Sequence, residues 1–134
     1  MNKKLLITAS LLGLISVVLG AFGAHGLKAS ISVESLQTFE TGVRYQMYHA
    51  LLLLFVGSSS VISQKTKQFT FYFILIGVLF FSGSIYGLAT NQLTAFDFKT
   101  IAFITPIGGL LLIIAWILLF VNFVKYKVIN SKIL

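Results

Sequence analysis

The sequence predicts an all-α protein, an up-down bundle of four membrane-spanning helices. A short amphipathic helical segment is expected on the outer surface between the first and second spans. Three observations carry this expectation. Only 10% of the 134 residues are charged and 57% are hydrophobic, and the mean hydropathy is +0.99. A soluble domain carries about 25% charged residues, so lipid suits this composition better than water. The apolar residues gather into four runs. The basic residues divide unevenly between the two ends of those runs.

The spans are expected at about 5–26, 43–63, 69–88 and 101–124, within one domain covering 1–134. The first, third and fourth runs each hold roughly 20 residues without a charge, the length that crosses about 30 Å of hydrocarbon. In lipid every backbone amide must be paired within the protein, so the runs should be helices. Asn2-Lys3-Lys4 and Ala21-Phe22-Gly23 fit the start and cleavage site of a signal peptide. The apolar core is longer than the 7–15 residues typical of one, so the first run is expected to stay as a span.

The second run needs more argument. Ala50 to Ile62 is only about 13 residues, roughly 20 Å of helix, so the span must reach back to about Val43. Tyr45, Met47, Tyr48 and His49 then lie inside it, with His49 about 8 Å below the edge of the hydrocarbon. Ahead of it, Ser30 and Ser32 are N-cap candidates with Glu34 in the first turn. Val33, Leu36, Gln37, Phe39, Glu40 and Val43 give a mixed face, expected to lie partly on the outer surface at about 32–43. In the 89–100 connection, Phe96 and Phe98 should dip into the interface. Pro106 falls early in the fourth run, where a missing N–H costs least, and Gly108-Gly109 would permit a bend.

Lys3, Lys4, Lys65, Lys67, Lys125, Lys127 and Lys132 fall on one side of this arrangement, and Lys28, Arg44 and Lys99 on the other. Both termini and the 63–68 loop are therefore expected in the cytoplasm, with the chain in the plasma membrane. Glu34, Glu40 and Asp97, all the acids there are, fall on the outer side. A net charge of +7 would suggest nucleic acid in a soluble protein. Here the bases flank apolar runs, so no nucleic-acid partner is expected. The expected partners are the lipid bilayer and other membrane proteins or a second copy. The absence of cysteine removes disulfides, thiol catalysis and cysteine-ligated clusters.

Two stripes of small residues, Ser16-Gly20-Ala24 and Gly83-x-x-x-Gly87, read as surfaces where helices approach closely. A glycine-lined ligand cavity is the alternative. "GAFGAHG" is no dinucleotide fingerprint, since no strand precedes it. His25 falls in the last turn of the first helix, with Gly26 as the residue that ends it, and can meet the terminal carbonyls.

The stretch "RYQMYH" at 44–49 offers a polar cluster near the outer leaflet. Tyr45 and His49 share one helix face, and Glu40, Arg44 and Tyr48 an adjacent one. Such a ring must face protein or a watery pocket. One reading is a hydrogen-bonded knot pinning helix two to helix one, with a Glu40–Arg44 ion pair. The other is a site for a lipid headgroup, quinone or haem contacted by His49 and Arg44, in a cavity between helices one and two. His25 and His49 as a shared haem pair would differ in depth by some 4–8 Å. Two histidines without cysteine are too few for a closed zinc site. No metal or cofactor is expected. No carboxylate lies within any run, which argues against a proton-driven transporter. Ser58, Ser59 and Ser60 lie over roughly 13 Å from His49 along the helix, so no nucleophile–base pair forms and no enzyme is expected.

"GAFGAHGL" at 20–27, "FETGVRYQMYHALLLL" at 39–54, "FSGSIYGL" at 81–88 and "TPIGGLLLIIAW" at 105–116 together resemble a known family. It is the YgdD- and YwdK-like small multi-pass membrane proteins, grouped as domain of unknown function 423. The resemblance covers nearly the whole chain. It implies a four-helix integral protein of the plasma membrane, and brings no established activity or ligand.

Overall fold

A computed structural model describes residues 2–127; Lys132, counted above among the basic residues, lies outside them. Four long helices form: α1 (Asn2–His25), α2 (Val33–Ser58), α3 (Gln64–Ala89) and α4 (Ile104–Lys125). Three of them, α1, α3 and α4, are long and apolar enough to cross a membrane. α2 has the length, but its first half is rich in polar residues.

The N-caps explain where helices begin. Ser32 Oγ accepts from Ser35 N at 3.1 Å and Ser63 Oγ from Thr66 N at 3.2 Å, each satisfying an otherwise orphaned amide. Ser30 caps no α-helix; it closes a short 3-10 turn at Leu27–Ala29. From Ser32 the chain runs as one helix to Ser58, so the expected surface segment and second span are continuous. Gly26 does not reverse the chain. Its φ of −84° is right-handed, because the chain winds on into the 3-10 turn, where Leu27 is buried. Pro106 stands in the first turn of α4, where no amide is needed.

Consecutive helices are antiparallel. Along the α1–α2 contact, Gly57 faces Leu5 and Leu6, Gly13 faces Ala50, and Gly23 meets Phe39. Ser82 of α3 donates to the Gly42 carbonyl of α2 at 2.7 Å. Gly77 of α3 packs on Leu112 of α4, and a Cβ at Gly108 of α4 would overlap the backbone of Phe80 and Phe81. The core runs through Leu5, Ala9, Leu53, Ile74, Val78, Ala115 and Leu119, with a smaller cluster of Leu27, Phe39 and Ala89 at the other end. Large apolar side chains such as Leu14, Leu79, Leu110 and Phe120 point outward, the inverse of a water-soluble pattern.

The small-residue stripes differ from expectation. Ser16 is buried and Gly20 lies against Val43, but Ala24 is exposed and Gly23 takes the contact instead. The 3.6-residue period carries the stripe from Ser16 to Gly20 and then to 23, not 24. Gly83 is open, with nothing within 4 Å of a Cβ, whereas Gly87 receives the ring of Phe98. The two glycines are therefore not one packing surface. The tight α3–α4 approach belongs to Gly77 and Gly108.

Lys67 is almost wholly buried. Its ammonium donates to Asn2 Oδ1 at 3.1 Å and to the Ser59 carbonyl at 2.5 Å, closing the carbonyl end of α2 as a lysine can. Asn122 of α4 holds the same connection, accepting from Ser63 N and donating to the Val61 carbonyl.

Two alanine substitutions separate packed from open glycines. Gly108→Ala should cost about 2 kcal/mol or more by forcing the helices apart. Gly83→Ala should be neutral, or stabilising by up to about 1 kcal/mol through helix propensity. Thermal melts in mild detergent measure both; equal effects would contradict the packing described.

Candidate functional site

The middle of α2 meets each of the other helices. Gln46, 4% exposed, donates from Nε2 to the Leu12 carbonyl of α1 at 2.9 Å. Its Oε1 accepts from the Tyr86 hydroxyl of α3 at 2.7 Å. One turn on, His49 is also 4% exposed. Its Nε2 faces the Trp116 indole N–H of α4 at 3.2 Å, and its Nδ1 lies 2.7 Å from the Tyr45 carbonyl. Indole N–H only donates, so Nε2 accepts and the proton sits on Nδ1, donating to Tyr45. Both nitrogens of a neutral ring are thereby used.

Beside this bond lies a cavity of about 310 Å³ lined by Tyr45, His49, Phe81, Gly109, Leu112, Ile113 and Trp116. It opens between α2, α3 and α4, not between the first two helices as expected. α1 and α2 close against each other through glycine contacts, whereas Gly109 leaves room beside Phe81. Tyr45 stacks on His49 with centroids 6.4 Å apart and leans on Phe81 at 5.0 Å. The lining is apolar and aromatic with few polar atoms and no formal charge, the usual make-up of a small-molecule cavity.

The expected polar ring splits in two. Tyr45 and His49 share the cavity. Glu40, Arg44 and Tyr48 are exposed on the outward face of α2. Arg44 donates to Thr41 Oγ1 at 3.1 Å, and among the described residues it forms no ion pair with Glu40. Thr41, one turn back on the same face, takes the guanidinium. The knot pins α2 to α4 through His49, and to α1 through Gln46. His25 is exposed at the end of α1. Since Gly23 lies opposite Phe39, His25 stands about 15 Å or more along the bundle from His49, and the two do not meet. No group of three or more potential metal-ligating His, Cys, Asp or Glu occurs among the described residues.

Sequence reasoning gave Gln46, Phe81, Tyr86 and Trp116 no role. Two signals were available. A glutamine inside a span must find a partner in protein. A tryptophan in mid-run, away from the interfacial belts where the residue collects, has a polar N–H to satisfy.

Residues 19–109 match a family described as a protein of unknown function, DUF423. A UPF0382 membrane protein of Staphylococcus aureus is 40% identical, over 92% of this chain and 98% of its own length. The UPF0382 membrane protein YwdK of Bacillus subtilis is 40% identical with the same coverage. The UPF0382 inner membrane protein YgdD of Escherichia coli is 35% identical over 94% of this chain and 93% of its own. No solved structure matches. The chain belongs to the DUF423 family of membrane proteins.

The Gln46 bridge gives a measurable coupling. Tyr86→Phe should lower stability by about 1 kcal/mol by leaving a buried amide oxygen unpaired. In the Gln46→Leu background the same change should cost clearly less. A denaturant titration of the four proteins completes the cycle, and additive effects would show that the bond is not made.

Proposed function

We propose that this member of the DUF423 family is a non-enzymatic protein of the cell membrane that crosses the bilayer four times, with both termini cytoplasmic. In this reading it holds a small ring-bearing amphiphile of the quinone class between α2, α3 and α4. The observation that carries it is the uncharged aromatic cavity at Tyr45, Phe81 and Trp116. A flat neutral ring suits such walls, whereas a charged lipid headgroup has no counter-charge among them. Among the described residues the Tyr45 hydroxyl has no hydrogen-bond partner, which leaves a donor for a ring carbonyl. Haem fits poorly: a cavity near 310 Å³ lies at the small end of ligand sites, and His49 has both nitrogens engaged.

A second reading rests on a different observation. Glu40, Arg44 and Tyr48 face outward near the end of the bundle that carries all the acids. A polar helix face in that position suits contact with another membrane protein or a second copy, making the chain an interaction subunit.

The four-span arrangement is supported by the basic residues Lys3, Lys4, Lys65, Lys125 and Lys127 at one end of the bundle, and by the length of α2. The chain lacks cysteine, so single cysteines report cleanly. In intact cells an impermeant maleimide should label Ser30→Cys and Thr94→Cys but spare Gln64→Cys until lysis. Labelling of positions 30 and 64 alone would mean that α2 does not cross. Labelling of 64 alone would invert the protein.

Trp116 is the only tryptophan and forms part of the cavity wall, so its fluorescence reports occupancy. A short-chain benzoquinone or naphthoquinone added to the protein in nanodiscs should quench it saturably, at one site per chain. Gly109→Leu, which fills the cavity but spares the His49–Trp116 bond, should remove the saturable part. Quenching that rises linearly with quinone, unchanged in Gly109→Leu, would be collisional, and the interaction reading would then stand alone.

A further inference from the structure

The opposite end of the bundle has a second, larger recess of about 670 Å³, between the last turns of α4 and the chain entering α3. Its chemistry changes along its length. Leu118, Val121 and Lys125 fall on one face of α4 at the i, i+3, i+7 spacing and, with Lys127 beyond the helix, line the recess. Leu118 lies about 10 Å deeper than Lys125 by the helical rise. The floor is therefore apolar and the rim cationic. On the facing wall stand the hydroxyls of Ser63 and Thr66, 2.9 Å apart. The rim charges have no carboxylate side chain to answer them at this end. The chain has only three acids, and Glu34, Glu40 and Asp97 all lie toward the other end.

We propose that this recess binds one anionic phospholipid. The phosphate sits between Lys125 and Lys127, with the Thr66 hydroxyl, which accepts from Ser63, as a further donor, and an acyl chain lies along Val121 and Leu118. An amphiphile matches both parts of the wall. A soluble anion would leave the apolar floor against water, and a zwitterionic lipid would bring its own headgroup cation against the two lysines. Basic recesses between membrane helices are suited to anionic head groups. The site shares no residue with the His49 cavity, so the two stand or fall separately.

Native mass spectrometry of the full-length protein, titrated with phosphatidylglycerol or phosphatidylcholine of identical acyl chains, tests the assignment. The wild type should retain a single phosphatidylglycerol, preferred over phosphatidylcholine on the order of tenfold, a selectivity two lysines near a membrane surface readily supply. Lys125→Gln/Lys127→Gln should abolish that preference, and Lys125→Arg/Lys127→Arg should keep it. Lys28→Gln/Lys99→Gln removes the same charge from the opposite end and should also keep it. A preference lost equally in the Lys28/Lys99 variant would reflect diffuse attraction and overturn the site. Displacement of the lipid by millimolar inorganic phosphate would make this a soluble-anion site and overturn it as well.

Discussion

Inside a bilayer, burying a leucine gains little over leaving it against lipid, so helices stay together through very close approach or through hydrogen bonds. The side chain of Gln46 supplies the second kind twice, to the Leu12 carbonyl of α1 and to Tyr86 of α3. His49 adds α4 through Trp116. α2 thereby becomes the helix to which the other three are fastened. Gln46 and His49 account for part of its low hydropathy; the rest comes from Glu34, Gln37, Glu40 and Arg44, which are exposed along its first half.

The α3–α4 pair uses the other solution. Gly77 and Gly108 bring those two helices almost to backbone contact, and the next residue, Gly109, does the reverse. Gly108 faces α3, whereas Gly109 leaves the space that becomes the cavity beside Phe81. One residue of helical rotation separates the tightest of these glycine contacts from the cavity. The walls of the cavity are thus fixed by hydrogen bonds on the α2 side and by steric contact on the α3 side.

How much of this was legible in the sequence depends on the range of the interaction. Three of the helices follow from charge-free runs, and Ser32 announces the start of α2 through local capping geometry; the Ser63 cap of α3 emerged only from the structure. His49 was singled out because its depth demands a partner, but the partner lies 67 residues away in Trp116, and no local pattern connects the two. The same is true of Gln46 and Tyr86. Rotation about the helix axis was the other gap. Ser16, Gly20 and Ala24 look equivalent in a four-residue count, yet a real helix turns Ala24 out and Gly23 in. Arg44 and Glu40 were expected to pair because they are one turn apart, but Thr41 offers the guanidinium a closer acceptor. The burial of Lys67 had no signature at all, since a lysine beside an apolar run reads as a charge at the membrane surface.

That lysine has two successive environments during the life of the chain. While α3 is being inserted, Lys67 is a hydrated cation just before an apolar segment, and under the proposed orientation it helps hold that end on the cytoplasmic side. Once the helices assemble, Asn2 and the Ser59 carbonyl enclose it and it meets solvent hardly at all. Under that orientation, a residue that favours the cytoplasmic side is also one that the finished fold encloses. Re-inversion of the finished bundle would require opening the contacts among the start of α1, the end of α2 and the start of α3 before any charge crossed the membrane. Under the proposed orientation, a topology favoured by electrostatics would afterwards be held by tertiary structure.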